Sequence, residues 1–170
     1  YDLRFSTARV DTQKLNWLHN IADVTINIAG NEGFGLTTAE SVMAETPIIV
    51  NVTGGLQDQC KFEDENGDWI QFNGKFSTNH KGTFKKHGSW VKPVFPSNRS
   101  LQGSPQTPYI FDDRAKYEDV AHAINEWYID GEDSREEAGL DGRQFCLDNG
   151  LTSKQMSSKM VEMIKFLLDN

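Results

Sequence analysis

Two short runs constrain the fold of this chain more than any other feature. Residues 23–29 (DVTINIA) and 47–52 (PIIVNV) are apolar or β-branched at most positions, and glycines and a helical stretch separate them. Short β-branched runs bounded by turn residues suit strands. Neither run shows the polar alternation of a sheet wetted on one face, so both faces are expected to be covered. That is the pattern of a parallel sheet in an α/β layer fold. Residues 3–7 (LRFST) read as a further strand, and residues 11–22 as a helix capped by Asp11 or Thr12, with Leu15, Leu18 and Ile21 at helical spacing. Residues 36–45 form a second helix, helped at its start by Thr37 or Thr38. The order strand–helix–strand–helix–strand then runs from Leu3 to Val52, with right-handed crossovers. The expected fold class is α/β, a Rossmann-like parallel sheet with flanking helices.

After Val52 the texture changes. Residues 60–110 are rich in Gly, Asn, Ser, Lys and Pro, with strand-like islands at 68–72 (DWIQF) and 89–95 (SWVKPVF). They read as a loop-rich insertion, with room for a small hairpin, inside a single domain spanning 1–170. Its basic tip, 79–88 (NHKGTFKKHG), reads as a solvated loop or as a surface meeting an acceptor or a neighbouring domain. The last third is helical. Residues 113–130 place Tyr117, Val120, Ala121, Ile124 and Trp127 or Tyr128 on one face. A second helix, 132–149, is weakened by its glycines. A third begins at Thr152, with Met156, Met160, Met163, Ile164 and Leu167 in register as core fillers. His122 reads as helix surface.

The charge balance narrows the partners. With 25 Asp and Glu against 17 Lys and Arg, the net charge is -8. An acidic surface is unsuited to nucleic acid, whose phosphates require basic stripes, and equally to anionic membranes. No apolar run approaches the ~18 residues of a membrane-spanning helix. Cys60 and Cys146 match no metal pattern and read as free thiols of a reducing compartment. The sequons at Asn51 and Asn98 read as chance, since Asn51 falls in a buried strand. The first residue is Tyr1, within one residue of a strand-like segment, so the chain is expected to be a piece of a longer protein.

Chemistry concentrates at the glycine turn. Parallel sheets bind ligands at the carboxyl ends of their strands. There, the loop 30–35 feeds a helix whose free N–H groups and dipole favour a phosphate or other anion. Gly33 and Gly35 permit close approach to the main chain. The pattern is neither G-x-G-x-x-G nor G-x-x-x-x-G-K-[ST], which supports neither a common dinucleotide fold nor a P-loop. Two carboxylates, Glu32 and Glu40, flank the turn. They would repel phosphate but accept hydrogen bonds well from vicinal hydroxyls. Glu40 lies one turn into the helix, ~5–6 Å along its axis. The ligand that fits both requirements is a diphosphate with a sugar at each end, a nucleotide-sugar.

At these residues a family resemblance enters. Glu32-Gly33-Phe34-Gly35-Leu36, then Glu40, then Pro47-Ile48-Ile49 and Gly54-Gly55, resembles the donor-site motif of retaining GT-B glycosyltransferases of the glycosyltransferase family 4 type (group 1). Glycogen and starch synthases have a related form, and TGGLQD (53–58) is similar to their GGL-x-D segment. The resemblance covers roughly residues 3–59. The helices after Asp113 fit the end of that domain loosely, and 60–110 does not fit. It implies a hexosyltransferase that moves a hexosyl group from a nucleoside diphosphate sugar to an acceptor hydroxyl with retention, in carbohydrate biosynthesis. Glu40 would bind the ribose hydroxyls. Main-chain groups of Gly33, Phe34, Gly35 and Leu36 would meet the sugar and diphosphate, with Thr37 near the phosphates. Glu32, the catalytic candidate, would orient the donor sugar or stabilise charge at its anomeric centre. Thr53, Gly54 and Gly55 are further candidates, as a donor or interdomain wall or as a plain tight turn.

The resemblance also implies no cofactor and no metal. An Arg–Lys pair on a loop before Tyr1 would neutralise the diphosphate. An N-terminal domain, also before Tyr1, would take the glycan, lipid or protein acceptor. The location implied is cytoplasmic, or peripheral to a membrane through that domain. This piece alone is expected to bind donor weakly and not to turn it over. The sequence departs from the family at Glu45, where a glycine commonly ends the helix in left-handed conformation; a different helix exit is therefore expected. The alternatives are a related nucleotide-sugar epimerase or phosphorylase, and a non-catalytic α/β interaction module.

Overall fold

The computed structural model describes residues 2–70, 84–103 and 105–169. Three parallel strands form its central sheet in the order β1 (Thr25–Asn27), β2 (Ile48–Asn51), β3 (Val91–Val94). The register sets Thr25 against Ile48 and Ile48 against Val91. Helix α1 (Thr12–Ile21) precedes the sheet, α2 (Leu36–Met43) connects β1 to β2, and the short α3 (Leu56–Gln59) follows β2. A hairpin of β4 (Asn98–Gln102) and β5 (Ile110–Arg114) comes next, then α4 (Tyr117–Asp130), α5 (Glu132–Asp148) and α6 (Ser153–Asp169). The architecture is a Rossmann-like α/β fold.

The central run 47–52 becomes the fully buried strand β2, as its unbroken apolar character requires. Its side chains alternate between faces. Ile48 and Val50 join Val42 of α2, Leu56 of α3, and Phe145 and Cys146 of α5 in one cluster. Ile49 packs on the opposite face with Val94, Ala123, Trp127 and Ala138. Helices therefore cover β2 on both sides. Strand β1 does not share this enclosure. It is the sheet edge, and Ile26 is 44% exposed.

Several sequence expectations are corrected. Residues 3–7 form no strand, and Leu3 and Phe5 are exposed. The segment 91–94 is not part of a separate excursion but the third strand of the core sheet. Its apolar ends, Val91 and Val94, are buried, and this outweighs the polar texture around it. Of the other island, Trp69 bridges Glu63, while 71–72 lie outside the described residues. In α1 the buried residue is His19, and Leu18 and Ile21 face solvent. In α4 the inward residues are Ala123 and Trp127, while Tyr117, Ile124 and Tyr128 are exposed. Trp127 and the half-buried Val120 do pack inward as expected, so the face is shifted only in part. Helix α6 has the expected methionine register, yet Met156, Met160, Met163, Ile164 and Leu167 are all at least half exposed. A hydrophobic stripe records an apolar face, not what covers it. The helix expected over 113–130 begins only at Tyr117, because Asp113 and Arg114 pair with β4 in β5; the other expected helix bounds agree within two residues. Asp11 caps α1 by accepting from the Lys14 amide at 2.8 Å, and His122 lies on the surface facing Glu126.

The exit of α2 is also corrected. Glu45 takes the left-handed conformation, φ 64°, that the missing glycine would have taken. Its carboxylate meets Arg143 at 2.6 Å. A non-glycine residue in this region costs ~1–2 kcal/mol, while an exposed ion pair returns at most ~1 kcal/mol. Glu45→Gly is therefore expected to raise stability by ~0.5–1 kcal/mol in thermal unfolding. A fall would show that the Arg143 pair outweighs the strain.

Both cysteines are free and buried, as expected. Burial pushes the Cys146 thiol from its ordinary 9.0 up to about 11, and Cys60 higher still. Neither is expected to react with a disulfide reagent at neutral pH until the chain unfolds. The unfolded chain loses these protons first, so the stability they contribute is present below pH 9 and falls as pH rises toward 11. Labelling at the unfolded-state rate under native conditions would contradict this. Asn51 is fully buried, and its Nδ2 donates to Ala29 O (2.9 Å) and Asp113 O (2.8 Å). Its sequon is out of reach.

Candidate functional site

The glycine turn sits where β1 and β2 end, and its shape is imposed by the loop after β2. Gly55 N donates to Glu32 O at 3.0 Å. A Cβ on Gly54 would lie 2.0 Å from Glu32 O, and one on Gly55 2.2 Å from Gly33 O. Both glycines are therefore required by close approach of the two loops, and Gly54 also has φ +49°. Gln59, at the end of α3, donates to the carbonyls of Phe34 and of Gly35, the latter at 3.0 Å. Gly35 has φ +86°, and a Cβ there would lie 2.5 Å from Leu56 Cδ2. TGGLQDQ is thus the scaffold of the glycine turn. Thr53 belongs to the same framework. It is buried, and its hydroxyl donates to Asp113 Oδ2 at 2.8 Å. Hairpin β4–β5 closes against the turn through Asp113 N and Gly30 O, 2.8 Å apart. The sequence left room for a small hairpin within 60–110 but did not place it at 98–114, and it did not single out Gln59. Gln59 is one of several amides, and 98–114 lacks clean alternation.

Gly35 itself caps α2, and no side chain caps it. The expected Thr caps do not form. Thr38 is buried one turn inside, and its hydroxyl donates back to Gly35 O at 2.8 Å. The first turn of α2 carries no acidic residue. Its leading amides have no intrahelical acceptors, and Leu36 and Thr37 beside them are exposed. That is the electrostatic setting for an anion.

Between α1 and α2 lies a cleft of about 490 Å³, lined by Leu15, His19, Phe34, Leu36, Glu40 and Met43 among others. It brings together three of the sequence candidates, Phe34, Leu36 and Glu40. Glu32, Gly33 and Thr37 are not among its walls. Glu32 is half-buried in the turn, and its carboxylate makes no hydrogen bond or ion pair among the described residues. Glu40 is half exposed, and its Oε2 lies 3.8 Å from Nε2 of the buried His19. His19 escaped the sequence reading because the leucines of α1 were given the inward positions.

Among the described residues no cluster of His, Cys, Asp and Glu could hold a metal ion. Among the same residues no helix is long and apolar enough to cross a membrane. Of the basic tip, 79–83 lie outside the described residues. Lys86 pairs with Glu63 at 2.8 Å and Lys85 with Glu65 at 3.5 Å, so their charge is partly neutralised within the chain. No protein-family model and no curated protein sequence matches this chain.

Proposed function

We propose that this chain is the donor-binding part of a retaining glycosyltransferase, one that moves a hexosyl group from a nucleoside diphosphate sugar to an acceptor hydroxyl. The observation that carries the reading is the pairing, on one eight-residue helix, of an uncapped amino end with a carboxylate one turn further along and open to a cleft. The helix start suits the diphosphate, and Glu40 suits the ribose hydroxyls. Glu32, in the pinned turn, suits the donor sugar, where it would orient the ring or stabilise charge as the anomeric carbon–diphosphate bond breaks. Gly33 to Thr37 would line the path between the two carboxylates. The FGL turn and the two glutamates give the reading its chemical class, and the rigid double-glycine scaffold behind the turn agrees with a preorganised site.

NMR titration with ADP, GDP and UDP tests it. The amides of residues 33–38 and the Glu40 carboxylate are expected to shift with at least one of them, with millimolar affinity allowed for a piece of a larger site. No shift with any of the three would overturn the reading. The exposed apolar face of α6 favours a second reading, a non-catalytic interaction module, which predicts that null result.

A further inference from the structure

We infer that His19 is a specificity-determining residue of the α1–α2 cleft, which binds one hydroxyl of a sugar diol jointly with Glu40. The inference rests on the donor-site reading above and adds a recognising group to it. His19 is 6% exposed, and its Nε2 has no hydrogen-bond partner among the described residues. A buried, unpartnered ring nitrogen is costly, and it usually signals a partner that binds there. The main chain that carries the ring is held in place. Its carbonyl accepts from Thr46 Oγ1 at 2.6 Å and from the Ala22 amide at 3.3 Å. The ring faces the cleft that Glu40 also lines.

The geometry selects the chemistry. Nε2 and Glu40 Oε2 are 3.8 Å apart, too far to bond directly. Nε2 is covered in this arrangement, so an oxygen bridges the two at ~2.8 Å from each only once the half-exposed Glu40 side chain shifts. With the imidazole proton on Nε2, that oxygen accepts from Nε2–H and donates to the carboxylate, which only accepts. A hydroxyl does both. A carbonyl has no proton to donate, and an ammonium has no lone pair to accept with. The second oxygen of Glu40 remains for the neighbouring hydroxyl of a vicinal diol. The surrounding Leu15, Leu36 and Met43 provide an apolar wall, so a ligand lacking that hydroxyl leaves both polar groups unpaired.

The test compares ADP, GDP and UDP with their 2′-deoxy and 3′-deoxy forms, and adds methyl β-D-ribofuranoside with its 2-deoxy analogue as nucleotide-free probes. Calorimetry is run on the 170-residue chain and on His19→Phe and His19→Gln, each checked for native circular dichroism. The His19 ring ¹⁵N resonances of the unmutated chain are followed alongside. The expected result is a roughly tenfold or greater loss when the bridged hydroxyl is removed. His19→Phe should weaken the ribose form to the level of the deoxy form and leave the deoxy form unchanged, with His19→Gln in between. Nε2 should shift with the diol and not with the deoxy analogue. Equal binding of the ribose form by His19→Phe and the parent chain, or an unmoved Nε2 at saturation, overturns the inference and leaves the donor-site reading standing. If no nucleotide binds but the riboside shifts Nε2, the diol site stands and the nucleotide reading falls. If neither ligand binds, both fall.

Discussion

Replacing Glu40 with alanine is expected to weaken nucleoside diphosphate binding by about 10- to 100-fold, from the loss of charge-assisted hydrogen bonds worth ~1.5–3 kcal/mol. Glu45→Ala, five residues on, is expected to change it by less than about twofold. The two glutamates differ in where α2 puts them. Glu40 opens on the α1–α2 cleft, whereas Glu45 lies past the helix end and pairs with Arg143 of α5. Removing Glu40 costs little stability, since its side chain is half exposed and Nε2 of His19 is 3.8 Å away. The loss should therefore appear in calorimetry while the unfolding temperature stays nearly constant. Equal effects of the two substitutions would remove Glu40 from the ribose role.

Gly139→Ala is expected to destabilise the chain by about 1–3 kcal/mol, reversing the ~1 kcal/mol that alanine normally gains over glycine inside a helix. By sequence, the glycines of α5 look like weaknesses. In the structure they are contacts. A Cβ on Gly139 would lie 1.9 Å from Glu45 O, and one on Gly142 2.8 Å from Trp90 Cβ. The first obstacle is backbone, so no side-chain rotation relieves it. Since α2 carries Leu36 and Glu40, prying α5 from its end also disturbs the cleft. Thermal unfolding should show a fall of roughly 2–10 °C for a chain of this size. An unchanged or raised midpoint would contradict the packing of α5 on α2.

These glycines show where the sequence was informative. Strand β2 was legible because an unbroken apolar run has one comfortable place, the middle of a covered sheet. The turn was legible because glycines at fixed spacing before a helix have few other uses. Strand β3 was legible as a strand-like island, but its place in the core sheet was obscured by composition. Four residues, Val-Lys-Pro-Val, form it, and loop residues surround them. Its place in the sheet is fixed by pairing with β2, a contact that sequence periodicity does not record. The inward face of α1 was misassigned and that of α4 was right only in part, because several apolar residues competed for them; tertiary packing chose His19 in one and set Ala123 beside Val120 and Trp127 in the other. In α6 the register was read correctly and the environment was not. Glu45 shows local preference overruled: packing on α5 holds the exit left-handed without a glycine. At the site, the residues that touch ligand in the proposed reading were named in advance, apart from His19. The residues that hold them in place, Gln59, Asn51 and Asp113, were not, because a hydrogen bond across 24 or 62 residues leaves no local pattern.

The proposed site has two parts, anion recognition at the start of α2 and diol recognition at Glu40. Calorimetry of one chain with a nucleoside diphosphate, the matching nucleoside and inorganic pyrophosphate separates the parts. The diphosphate is expected to bind at least about tenfold tighter than either fragment, through linkage of two weak contacts on one helix. The two-part site would be contradicted by a nucleoside diphosphate that binds no better than pyrophosphate alone, or by no binding of any of the three.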